Sequence, residues 1–129
     1  MKENKLTIQV HKPVHELFLF TITPPNSTRW IPAIVKEETN EWPVRIGTIY
    51  TLATSDGSSS HVTVLDIKED TLVEWISEDK NYHCRYSFSP IVKDSSKLEY
   101  FEWVNSGELI EPFVLETLEK LKSVLSQHK

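Results

Sequence analysis

The chain has 129 residues, 39% of them apolar and 26% charged, with a formal net charge of -5. That length suits a single domain, residues 1–129, burying roughly two-thirds of the surface its unfolded chain would expose, and the composition is that of a folding chain rather than a disordered one. The acidic balance and scattered basic residues exclude a nucleic-acid face, which needs clustered cations to collect phosphates.

Leu6, Ile8 and Val10 alternate with Thr7 and Gln9, the pattern of a half-buried first strand. Pro13 sits where a helix can start, because its missing N–H would be an orphan donor there. Glu16 follows in the first turn, where a carboxylate suits the positive helix end. Leu17 to Ile22 supplies the core face of this short helix, and Pro24-Pro25 stops it. Asn26 and Ser27 are N-cap residues for a second short turn of helix carrying Trp30, which Pro32 ends.

Strands follow. Ala33 to Glu38 is a candidate, then a polar loop runs through Asn40 and Pro43. Ile46 to Ala53 and His61 to Ile67 flank Ser55-Asp56-Gly57-Ser58, a hairpin turn by composition. Thr71 to Ile76 and Tyr82 to Phe88 come next, separated by Asp79-Lys80-Asn81. Pro90 to Ser96 reads as a longer loop, Lys97 to Val104 as the last strand. Short connections make an antiparallel meander the natural topology. From Pro112 to Gln127, Val114, Leu118, Leu121 and Leu125 recur at helical spacing and form one apolar stripe. The expected architecture is α+β: a seven-stranded curved antiparallel sheet wrapped on a long C-terminal helix, with two short helices after strand 1.

Lone Cys84 cannot form an internal disulfide, and Met1 to Lys5 runs into a strand without an apolar leader. The longest apolar run, Leu17 to Phe20, is too short to cross a bilayer. These features predict a cytoplasmic protein without membrane insertion.

The order of motifs resembles the START-like, or SRPBCC, helix-grip superfamily, which includes lipid-transfer domains, birch-pollen-allergen-like proteins and polyketide cyclase/dehydrase-like proteins. The residues that carry the resemblance are Pro13-Val14 and the Phe18 helix, Trp30 ahead of a proline, and Gly47-Thr48-Ile49-Tyr50. Trp75 at a strand end, Tyr86-Ser87-Phe88-Ser89-Pro90, Leu98-Glu99-Tyr100 and the Leu118/Leu121 helix complete it. The resemblance implies a hydrophobic cavity between sheet and C-terminal helix that takes a lipid, polyketide or aromatic metabolite. It also implies two alternatives. One is a protein-interaction module like the heat-shock-ATPase activator domains, with a filled core and a functional outer surface. The other is a cyclase or dehydratase, which needs at least two polar groups converging in the cavity.

Strand parity nominates the cavity wall. Tyr82, Cys84, Tyr86 and Phe88 share one face of their strand; Leu98 and Tyr100 share a face of the last. Trp30, Tyr50, Trp75, Tyr86, Phe88 and Tyr100 are the candidate ligand-facing set, against the alternative of plain core packing. Glu102 has the parity of Tyr100, so a carboxylate with desolvation-raised pKa and acid–base capacity is expected there unless the strand end turns it into solvent or onto a lysine. Phe101 and Trp103 have the opposite parity. Left bare they would favour self-association; a loop such as that of Trp42 would instead cover them. Arg85 is expected outside.

Motifs for other chemistry are missing. His11 and His15 straddle Pro13, and no second ligand sits at zinc-like spacing, so no metal is expected. His83 and Cys84 are adjacent on a strand and point to opposite faces, the wrong geometry for a dyad. No Ser-containing nucleophile elbow or Gly-rich phosphate loop occurs, and no cofactor is expected.

Overall fold

The computed structural model describes residues 1–127, and in them seven strands form one antiparallel sheet. These are β1 (Glu3–Val10), β2 (Ile34–Thr39), β3 (Ile49–Thr54), β4 (Ser59–Lys68), β5 (Leu72–Ser77), β6 (Tyr82–Val92) and β7 (Ser95–Val104). Their spatial order, β1-β7-β6-β5-β4-β3-β2, is a meander from β2 to β7 with β1 returning beside the last strand. Helix α1 (Val14–Ile22) and a 3-10 turn (Asn26–Arg29) fill the β1–β2 connection, and α2 (Leu115–Gln127) ends the described chain. This is the expected α+β helix-grip arrangement.

Local chemistry accounts for the element ends. The Pro13 carbonyl accepts the Leu17 N–H at 3.2 Å to start α1, and the Thr23 hydroxyl and N–H close it on the Leu19 carbonyl. Strand β3 begins at Ile49 rather than Ile46. Gly47 adopts φ +96°, a left-handed conformation that glycine takes without strain, and its N–H reaches the Val64 carbonyl at 2.8 Å. The loop expected over Pro90 to Ser96 is instead a tight hairpin, with β6 running to Val92 and β7 starting at Ser95. Pro90 has no N–H for the ladder, and a register shift between Pro90 and Val92 accommodates it.

A second bulge has larger consequences. The β2–β3 register shifts between Ile34 and Lys36. Val35 and Lys36 both face solvent, so Glu37 turns to the inner face and is only 7% exposed.

The closing helix is shorter than the stripe predicted. It starts at Leu115 and spans about 20 Å at 1.5 Å per residue. Leu118, Leu121 and Leu125 are essentially fully buried, but Val114 precedes the helix and is exposed. Among the strands, α2 lies against β1. Its apolar face therefore fills the β1 end of the grip as solid core, with Val10, Leu17 and Leu98 also at most 2% exposed.

Candidate functional site

A cavity of about 130 Å³ opens on the other side of this packing. Ser27 of the 3-10 turn, Ile31, and Ile34 and Glu37 of β2 form one wall. Leu52, Val62 and Trp75 extend it across β3, β4 and β5. Tyr82, Cys84 and Tyr86 of β6, Tyr100 of β7 and Phe113 complete the enclosure. No residue of α2 lines it. The helix-side wall is Phe113, in the segment ahead of the helix, which corrects the expectation of a cavity between sheet and C-terminal helix. The helix's apolar stripe is used up in the core at the β1 end.

Alternation explains the aromatic wall. Tyr82, Cys84 and Tyr86 project from the inner face of β6, and Tyr86 pairs across the ladder with Tyr100. The rings touch in sequence. Trp75 and Tyr86 lie 5.0 Å apart at 71°, Tyr86 and Tyr100 5.6 Å apart at 44°, and Tyr100 stacks on Phe113 at 4.3 Å and 6°. Such edge and offset contacts suit ring quadrupoles and fix the wall's shape.

Phe113 is held by the backbone. Glu102, 2% exposed on the inner face of β7, accepts its N–H at 2.8 Å, while the Asn4 amide donates to its carbonyl at 2.9 Å. Asn4 also donates to Glu102 at 2.9 Å, and the Tyr82 hydroxyl donates to the other Glu102 oxygen at 2.7 Å. Glu102 is thus not turned into solvent, and no lysine among the described residues pairs with it. It is a buried carboxylate satisfied by three donors, and it does not line the cavity.

Glu37 is in a different condition. The Ser27 N–H donates to Glu37 Oε1 at 3.2 Å, and among the described residues no cation pairs with the carboxylate. Burial holds its pKa above the ordinary 4.5, while the hydrogen bonds from Ser27 pull it down. Its charge also helps raise the Tyr50 and Tyr86 hydroxyls, both pushed up mainly by burial. Burial likewise pushes up Tyr82, Tyr100 and the Cys84 thiol. At neutral pH these groups stay protonated, so the cavity presents neutral hydrogen-bond donors and one carboxyl group, not a nucleophile. The Tyr86 hydroxyl makes no hydrogen bond to another described residue. The Trp75 indole N–H is also buried without a partner.

The nominated residues divide accordingly. Trp75, Tyr86 and Tyr100 line the cavity. Trp30 packs behind it on Tyr86 and Phe113, at 6.2 and 6.1 Å, and Phe88 lies between Phe18 and Tyr86. Tyr50 braces Trp75 at 5.5 Å and spends its hydroxyl on the Ile22 carbonyl at 2.6 Å. These three are structural supports of the wall, because their rings are covered on the cavity side by other aromatics. Glu37, Ser27, Tyr82, Cys84 and Phe113 were missed. For Tyr82 and Cys84 the signal was the β6 parity itself; for Glu37 the bulge concealed it.

On the outer face, Phe101 and Trp103 are half-buried and stacked at 4.7 Å. Cross-strand cations cover them: Lys5 Nζ lies 5.0 Å from the Phe101 ring centre, and the Arg85 guanidinium 5.3 Å from that of Trp103. His83 stacks on Trp103 at 4.7 Å. Arg85 lies outside as expected and donates to Glu74 at 2.7 Å. The Trp42 loop plays no part, since Trp42 is exposed beside Phe18 and Leu19.

No protein-family model matches the sequence, and no curated protein does. The fold has many counterparts among solved structures. A START superfamily protein from Mycobacterium smegmatis aligns over 100% of both chains with a TM-score of 0.75 at 17% identity. Norcoclaurine synthase from Thalictrum flavum, solved in complex with dopamine and hydroxybenzaldehyde, aligns over 99% of this chain and 88% of its own, with TM-score 0.66 and 15% identity. A polyketide-cyclase-like protein from Corynebacterium glutamicum aligns over 80% of this chain and 65% of its own, with TM-score 0.60 and 15% identity. The chain has the helix-grip fold of the START/SRPBCC superfamily. Among the described residues no helix is long and apolar enough to cross a membrane.

Proposed function

We propose that this protein binds a small, largely apolar molecule of about one aromatic ring in the cavity bounded by Trp75, Tyr86, Tyr100 and Phe113. The observation that carries the reading is a space of about 130 Å³ walled by aromatic and aliphatic side chains, with the unpartnered Trp75 indole N–H at its edge. Proteins normally fill such a space with side chains. An engineered apolar cavity of ~150 Å³ accepts benzene, whereas sites for drug-sized ligands run from ~300 to ~1,000 Å³. The volume therefore favours an aromatic metabolite over a lipid or a polyketide. Dopamine and hydroxybenzaldehyde, the ligands of the similarly folded synthase, are single-ring molecules.

The interaction-module reading has less support, because it requires a filled core and an open outer surface. Docking of a second copy through Phe101 and Trp103 would have to displace Lys5 and Arg85. A monomer in size-exclusion chromatography at high concentration would remove that reading. For the cyclase or dehydratase reading, Glu37 and Tyr86 are polar side chains on one cavity wall. The lone, half-buried Cys84 is in keeping with a reducing, cytoplasmic compartment.

The test is a calorimetric titration with ligands of graded size. Benzyl alcohol should bind saturably while a sixteen-carbon fatty acid should not. Saturable binding of the fatty acid, or of neither, would contradict the reading.

A further inference from the structure

Glu37 has no role in holding the fold that its burial would explain. A carboxylate taken out of water needs a cation or several donors, and its removal from solvent is costly otherwise. Glu102, in the same protein, shows the satisfied condition with three donors. Glu37 has only Ser27, and it sits on the wall of a cavity. Five aromatic residues, Trp75, Tyr82, Tyr86, Tyr100 and Phe113, share that wall with aliphatic side chains and Cys84. Ring faces carry negative potential and attract organic cations, most strongly when water is excluded. Carboxylate and rings thus call for the same partner, and the described residues supply no cation there. The net charge of -5 adds a long-range attraction of the same sign.

We infer that the cavity selects a small organic ammonium ion, its charged nitrogen on Glu37 and its apolar body against the aromatic wall. The class comprises primary aralkylammonium ions and methylated ammonium ions small enough for the cavity. A primary ammonium donates to the Glu37 carboxylate and leaves the Tyr86 hydroxyl, on the same cavity wall, to receive a second N–H. The inference rests on the reading of this cavity as a ligand site, and it adds a sign of charge that shape alone does not supply.

Three probes of nearly equal size separate the two statements: benzylammonium, benzyl alcohol and benzoate, titrated calorimetrically at neutral pH. Benzylammonium should bind at least about tenfold more tightly than benzyl alcohol, the difference expected of one charge-assisted hydrogen bond, and benzoate should not bind. Glu37→Gln should bring benzylammonium down to the affinity of benzyl alcohol. Benzyl alcohol binding as tightly as benzylammonium in the wild type would overturn the inference and leave the cavity reading standing. An undiminished preference for the ammonium ion in a folded Glu37→Gln protein would overturn the role of Glu37. Should none of the three bind, both statements fall. The wild-type comparison needs no variant, so a misfolded Glu37→Gln protein would not spare the inference.

Discussion

Two buried carboxylates and two tyrosines show how differently like residues behave in this fold. Glu37 ionises against its burial, so its folded pKa lies above 4.5. A raised carboxylate pKa means that the folded state binds more protons than the unfolded one. The resulting stabilisation is present below the unfolded pKa and is lost as pH rises through the folded value. Glu37→Gln keeps an acceptor for the Ser27 N–H and removes the charge. Its melting temperature should therefore exceed that of the wild type at pH 7, with the gap closing as pH falls toward 4; a wild type more stable at pH 7 would refute this. Tyrosine hydroxyls provide a second contrast. Tyr86→Phe deletes a group without a described partner and should change stability by less than about 0.5 kcal/mol, whereas Tyr82→Phe strips a donor from buried Glu102 and should cost about 1–3 kcal/mol, read by denaturant unfolding. Truncations such as Trp75→Ala are poor probes, since deleting a ring that is 7% exposed empties core volume as well.

At the scale of elements, the segment before α2 matters more to the cavity than α2 itself. Asn4 and Glu102 reach from β1 and β7 to hold both backbone groups of Phe113. Asn4→Ala should raise the exchange rate of the Phe113 amide hydrogen and lower stability by about 1–2 kcal/mol. The helix answers to a different measurement. Leu121→Ala should cost about 2–5 kcal/mol while leaving the affinity for a small ligand nearly unchanged, because no α2 side chain touches the cavity. The stripe Leu118, Leu121 and Leu125 was legible because helical periodicity is local. The helix start was not legible, because the backbone of Phe113 is held outside the helix by Glu102 and by Asn4, which lies 109 residues away in sequence. Strand existence was legible throughout the meander from alternation and turn residues. Where it failed, at Ile46 and over Pro90 to Ser96, a positive-φ glycine and a proline bulge decided the matter through pairing with neighbouring strands.

For the molecule as a whole, the sheet order and the helix-grip architecture follow from element order, short connections and the resemblance of Trp30, Gly47-Thr48-Ile49-Tyr50 and Tyr86-Ser87-Phe88 to a known superfamily. The site was legible only in part. Parity found Tyr86 and Tyr100, but it counts two residues per repeat and cannot see a bulge. One extra residue at Val35-Lys36 moved Glu37 from the apparent solvent face into the core, and with it a carboxylate that no cation pairs among the described residues. Parity also cannot tell the first ring of a wall from the ring behind it, which is why Trp30, Tyr50 and Phe88 stood beside Trp75. The central claim is that the grip encloses usable space of one-ring size. Nuclear magnetic resonance titration of the isotopically labelled protein with benzylammonium tests it most directly. The account predicts saturable shifts centred on the Trp75 indole and on the backbone of Glu37, Tyr86 and Phe113, with α2 beyond Leu118 unmoved. Linear, unsaturated shifts, or changes spread over the outer face around Trp103, would contradict it.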